Sequence, residues 1–158
     1  MHIKPPEDFR PHIQGKKSVF LAGSIEMGKA ERWQDQFADD LSDMDDVVLL
    51  NPRRKGWNAS WEQSIDCPQF RGQVDWELDA LEAVDLIVMY FQPNTKSPIS
   101  LLEFGLHAAK TPDKIIVCCP DGFWRKGNVD ITCAKYGVTQ MDNISELTQT
   151  IRQLLLSL

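Results

Sequence analysis

No stretch of this sequence stays apolar for long. The longest largely apolar runs, Val84 to Phe91 and Ile115 to Cys119, fall far short of the roughly 20 residues a membrane-spanning helix needs. The first 17 residues are polar and carry Pro5, Pro6 and Pro11, so they do not read as a signal peptide, and the cytoplasm is the expected compartment. Cysteine is sparse. Cys67, Cys118, Cys119 and Cys133 form no C-x-x-C pair and have no histidine at metal-ligand spacing, which argues against a disulfide framework or a zinc site. Basic residues are outnumbered by acidic ones, 17 to 23, giving a net charge of −6. Without a basic stripe to release counterions, a nucleic-acid polymer is not an expected partner. A small neutral ligand is not excluded. No G-x-G-x-x-G is present either, and Gly23 to Ala30 misses the P-loop pattern at its last position. Ala30 lacks the hydroxyl that would hold magnesium, and Glu26 would set a negative charge inside the phosphate cradle.

What is present is an alternation of short apolar runs and amphipathic stretches. Residues 1–17 read as a loosely ordered N-terminal arm and residues 18–158 as one domain. Strands are expected at 18–22, 47–50, 85–91 and 114–119, with a possible fifth at 137–141. Helices are expected at 29–44, 72–83, 100–110 and 145–158, with a short one at 128–136. The segment 53–70, rich in Arg, Trp, Asn and Ser, has no periodicity and reads as a long loop. The alternation implies an α/β fold with a parallel sheet covered on both faces. Ligands of such folds gather at the C-terminal edge of the strands.

At that edge the first turn, Gly23-Ser24, has two readings. It is a plain strand-to-helix turn with Ser24 as a cap, or its backbone lies against a sugar or base. Ser100 and Glu103 also carry two. They form a capping box, or Glu103 is a carboxylate presented at the ligand edge, held ionised by the helix N-terminus and given room by Gly105. On the helix before the third strand, Val74 at 0° places Leu78 and Leu81 near about 40° and 340°, and Glu77 near about 300°, at the rim of the apolar stripe. Burial there would raise its pKa, as a general acid requires, unless an arginine partners it. Asp75, Asp79 and Glu82 fall on the wet face, and Trp76, near about 200°, is a candidate for a subunit contact. Asp85 is a structural turn residue or a ligand acceptor. Two carboxylates with split pKa values are the minimum equipment for retaining glycosyl chemistry, at a separation of roughly 5 Å.

Four segments, Val19-Phe-Leu-Ala-Gly-Ser-Ile25, Asn51-Pro-Arg-Arg54, Gln73-Val-Asp-Trp-Glu77 and Ile99-Ser-Leu-Leu-Glu-Phe-Gly105, together resemble the nucleoside 2-deoxyribosyltransferase family, closest to its "nucleoside 2-deoxyribosyltransferase-like" branch. The resemblance implies a flavodoxin-like three-layer sandwich around a parallel sheet of about five strands. It implies exchange of the base of a 2′-deoxynucleoside through a covalent glycosyl-glutamate, with Glu103 as nucleophile and Glu77 as acid, Asp75 in reserve. Gly23, Ser24, Asn51, Arg53, Trp57, Gln73 and Asp85 are the implied or candidate substrate contacts, Trp57 either stacking on the base or packing its loop. A nucleoside and a free base are the expected partners, in a homo-oligomer, with no cofactor, metal or membrane. Two alternatives remain at this point. One is an N-glycosidase acting on a deoxynucleoside 5′-monophosphate, with Ser24, Arg53 and Arg54 on the phosphate. The other is a non-catalytic nucleotide-sensing module.

Overall fold

The computed structural model describes residues 1–25, 30–54, 56, 58 and 60–158. Their elements run in the order β1 (His2–Ile3), α1 (Arg10–Ile13), β2 (Lys17–Gly23), α2 (Trp33–Asp40), β3 (Val47–Leu50), α3 (Pro68–Ala83), β4 (Leu86–Tyr90), α4 (Pro98–Lys110), β5 (Ile115–Cys118), α5 (Lys126–Tyr136), β6 (Thr139–Met141) and α6 (Ile144–Ser157). The strands form one six-stranded sheet in the order β1-β3-β2-β4-β5-β6, and every pairing is parallel. The expected α/β architecture is present, with one strand more than expected. No helix among the described residues is long and apolar enough to cross a membrane.

Strand alternation divides the core into two layers. On β2 and β4, Phe20, Ala22, Ile87 and Met89 face the layer built with Trp76, Phe104 and Val129 of α3, α4 and α5. Their neighbours Val19, Leu21, Val88 and Tyr90 face the layer built with Phe37 of α2 and Ile151 of α6. Cys119 and Cys118 fall one on each side, small core residues as expected.

The additional strand corrects the reading of residues 1–17 as loosely ordered. His2 and Ile3 pair with Leu49 and Leu50 of β3. Phe9 is 1% exposed and meets Trp76 edge-on at 5.4 Å. The three prolines forbid a long helix here but not a two-residue strand, and Ile3 and Phe9 supply enough apolar surface to hold the segment down. Trp76 is corrected with it: its ring is in the core against Phe9 and Phe20, and its Nε1–H donates to the carbonyl of Glu7 at 2.8 Å, so it is no subunit contact.

The face of α3 is therefore rotated from the expected one. Its buried residues are Gln73, Trp76, Ala80 and Leu81, whereas Leu78 is 42% exposed. At about 100° per residue the buried arc runs from about 200° to 340°, and Glu77 at about 300° falls between its members yet stays partly exposed, as a residue at the rim of the buried face. The bulkiest apolar side chain on the helix, not the Val74-Leu78-Leu81 stripe, chose the face.

Candidate active site

The chain leaves β2 for β3 on one side and returns to β4 on the other, so the order reverses beside β2. Ligands of open α/β sheets bind at such a point, beyond the strand C-termini. β2 ends there in Gly23, at φ +136°, where a Cβ would fall on the backbone carbonyl of Tyr90. Only glycine lets β2 and β4 run together to their last residue.

Ser24 follows, fully buried. Its hydroxyl accepts the N–H of Gln92 at 2.9 Å and lies 2.8 Å from Thr95 Oγ1 and 2.6 Å from Ser97 Oγ. Thr95 Oγ1 in turn donates to the Gln92 carbonyl at 2.8 Å. Three hydroxyls thus stitch the end of β2 to the loop that leads into α4. The indole N–H of Trp33 takes the Ser24 carbonyl at 3.2 Å. The Ser24 side chain is spent on positioning. Thr95, Ser97 and Gln92 escaped the sequence reading, although three hydrogen-bonding side chains in a strand-to-helix loop were a usable signal.

α4 begins at Pro98, which fits the first helical position because its missing N–H would have no partner there. Ser97 is the N-cap, in a left-handed conformation and without a side-chain capping bond. Ser100 is inside the first turn, and Glu103 is beyond it, so the capping box is corrected. Glu103 is 7% exposed and shares its side of α4 with buried Phe104. Two further expectations fail here. Gly105 faces solvent, where a Cβ would meet nothing within 4 Å, so it makes no room for Glu103. Nor does the helix N-terminus keep Glu103 ionised, because the dipole's influence is spent within the first turn. Burial, reinforced by the Glu77 charge, pushes its pKa up to about 8.

Glu77 reaches Glu103 electrostatically from α3. Burial raises its pKa to about 7, held back by a bond from Gln73. Its partner is that amide and not an arginine: Gln73 Nε2 donates to Glu77 Oε1 at 2.7 Å and to the Pro52 carbonyl at 3.0 Å. Gln73 is 3% exposed, and its Oε1 has no hydrogen-bond partner. Asn51 precedes that proline, fully buried. Its Oδ1 accepts the N–H of Arg53 at 2.9 Å and its Nδ2 lies 2.9 Å from His2 Nε2. Arg53 donates to the carbonyls of Glu31 and Ala30 at 2.9 and 2.8 Å, and Arg54 stacks over Trp61.

Two candidates lie elsewhere. Asp75 is exposed and pairs with Arg71 at 3.4 Å. Asp85 precedes β4 at the opposite end of the sheet, where its carboxylate accepts the N–H and the hydroxyl of Ser18, each at 2.8 Å. Trp57 and Glu26 lie outside the described residues. Among the described residues no three His, Cys, Asp or Glu side chains converge as a metal site.

Glu77 and Glu103 are thus a coupled carboxylate pair: burial raises both pKa values, and the Glu77 charge raises that of Glu103 further. Such a pair titrates as a unit, and between its two ionisations it carries one proton, which makes one member an acid and the other a base.

A solved structure described as a conserved protein from Enterococcus faecalis V583 shares the fold, with a TM-score of 0.61 and 15% identity over 87% of this chain and 98% of that one. A comparison with curated proteins finds no match. The family profile described as "Nucleoside 2-deoxyribosyltransferase like" matches residues 16–123, a span that begins just before β2, ends after β5 and contains both carboxylates. The chain belongs to the nucleoside 2-deoxyribosyltransferase-like family.

Proposed function

We propose that the protein moves a 2-deoxyribosyl group from one nucleobase to another, with Glu103 as nucleophile and Glu77 as acid and base. The observation that carries this reading is the buried carboxylate of Glu103 on α4, whose pKa is raised further by the charge of partly buried Glu77 on α3. The Glu103 carboxylate attacks the anomeric carbon, and the bond from that carbon to the base nitrogen breaks. Its electron pair goes to the base, which takes a proton from Glu77. A second base then attacks the same carbon, displaces Glu103 and gives its proton to Glu77. Two inversions give net retention. Each step is served by the pair alone.

Attack needs the pair's proton on Glu77, although in the free protein Glu103 has the higher pKa. Positive charge developing at the anomeric carbon stabilises an ionised Glu103, and the Gln73 amide holds Glu77 in place to take the proton. The rival hydrolysis of a nucleoside 5′-monophosphate calls on Ser24, Arg53 and Arg54 for phosphate. Ser24 holds the α4 loop, Arg53 holds the carbonyls before α2, and Arg54 stacks on Trp61, which favours the uncharged nucleoside. A mere sensing module has no need of two electrostatically coupled carboxyls with raised pKa values.

A chromatographic assay tests the reading, using deoxyadenosine, thymidine and their monophosphates with and without a second free base. A new nucleoside formed only with the acceptor supports transfer. Free base released without an acceptor means hydrolysis, and no turnover across the panel returns the sensing module.

A further inference from the structure

The peptide that joins Pro52 to Arg53 is gripped at both edges. Its N–H donates to Asn51 Oδ1 at 2.9 Å, and its carbonyl accepts Gln73 Nε2 at 3.0 Å. A peptide is planar, so whatever turns one edge turns the other. The backbone ladder does not fix this unit. It ends one residue earlier, where the Asn51 N–H donates to the Ile3 carbonyl at 2.9 Å, and Pro52 has no N–H to extend it. The Asn51 side chain therefore sets the tilt of the peptide, and His2 of β1 orients that side chain.

With Asn51 Oδ1 taken by the Arg53 N–H, the atom 2.9 Å from His2 Nε2 is Nδ2, which can only donate. His2 Nε2 must accept, so the ring is neutral with its proton on Nδ1. A protonated ring would set N–H against N–H. Asn51 must then release His2, or turn over and release the Arg53 N–H. Lys4 and the Met1 amino group, from the same segment, oppose a positive charge on the ring, and Asp35 and Asp39 of α2 favour one. Burial, joined by Lys4, prevails and holds the His2 pKa below the ordinary 6.5.

We propose that His2 is a positioning residue for Glu77, acting through Asn51, the Pro52–Arg53 peptide and Gln73, and that protonating His2 loosens the hold on Glu77. The last contact of the relay is the bond from Gln73 Nε2 to Glu77 Oε1, at 2.7 Å. Its meaning for catalysis rests on the reading of Glu77 as the acid of the pair, whereas its test needs no turnover. A broken relay and a failed transferase assignment are thus told apart.

Nitrogen NMR on the full chain, read at the His2 ring and at the side-chain amides of Asn51 and Gln73, is that test. In the wild type the ring carries its neutral proton on Nδ1. Both amides shift with the ring at a midpoint below 6.5, besides any step that follows Glu77 near about 7. His2→Gln offers Asn51 an acceptor that does not titrate, so the Gln73 amide keeps its wild-type position and loses the lower step. His2→Leu offers none. Its Gln73 amide is displaced at every pH, and the Glu77 midpoint rises above about 7. If His2→Leu does not fold, the wild type and His2→Gln decide. A Gln73 amide indifferent to the ring, a lower step that survives His2→Gln, or a neutral ring protonated on Nε2 overturns the proposal.

Discussion

The amide of Gln73 donates to Glu77 at 2.7 Å and to the carbonyl of Pro52 at 3.0 Å, so one side chain ties the candidate acid on α3 to the loop that ends β3. Removing it withdraws a bond that favours the ionised form of Glu77, and the pKa of that carboxyl rises above about 7. Gln73→Leu is expected to move the basic limb of the pH–rate profile to higher pH, because the acid Glu77 keeps its proton longer. An unshifted profile would deny Gln73 any part in tuning Glu77.

The carboxylate pair also makes stability depend on pH. Both carboxyls have an ordinary pKa of 4.5, yet in the fold they keep protons to about 7 and about 8. The folded state binds more protons in this range, so stability is full below about pH 4.5 and falls as pH rises through the folded values. The slope is at most about 1.4 kcal/mol per pH unit per group. Glu103→Gln removes one buried charge. It should raise Tm at pH 8 by several degrees, at about 2–4 °C per kcal/mol, with little gain at pH 5, while abolishing turnover. A Tm gain independent of pH would contradict this.

Gly23→Ala places a Cβ on the backbone of Tyr90 at a φ of +136°. The ends of β2 and β4 must then part, at a cost of roughly 2–4 kcal/mol read by urea denaturation. Near-wild-type stability would mean that the close approach of these strands is not required.

Glu77 and Asp75 stand two residues apart and face different worlds. Asp75 is exposed and paired with Arg71, whereas Glu77 faces Gln73 and Glu103. Glu77→Gln should cost about 100-fold or more in turnover, in line with loss of a general acid. Asp75→Asn should stay within about twofold, because an exposed ion pair contributes little. The reverse order would exchange their roles.

Much of this layout is legible in the sequence, for reasons that can be named. β3 is a bare run, Val47–Leu50, stopped by Asn51-Pro52, and it has the expected bounds. The parallel sheet follows from alternation alone. Glu103 and Glu77 were singled out in the sequence, one by its place after a strand-to-helix loop and one by its helical face, and both have raised pKa values in the fold. Three things were hidden. Periodicity could not tell that Trp76 outranks Val74 and Leu78 for the core, because that depends on Phe9, 67 residues away in sequence. The start of α4 was missed because Pro98 opens the helix two residues before Ser100. The direction of the Glu103 pKa was missed because burial, a tertiary property, outweighs the helix dipole.

The covalent step is open to direct observation. The protein is mixed with a 2′-deoxynucleoside without acceptor base, quenched in acid and digested, and the peptides are weighed by mass spectrometry. The account predicts a peptide containing Glu103 heavier by one deoxyribosyl group, absent from the Glu103→Ala variant and lost when a second base is added before the quench. Turnover of the nucleoside with no adduct on that peptide, or an adduct that survives Glu103→Ala, would contradict it.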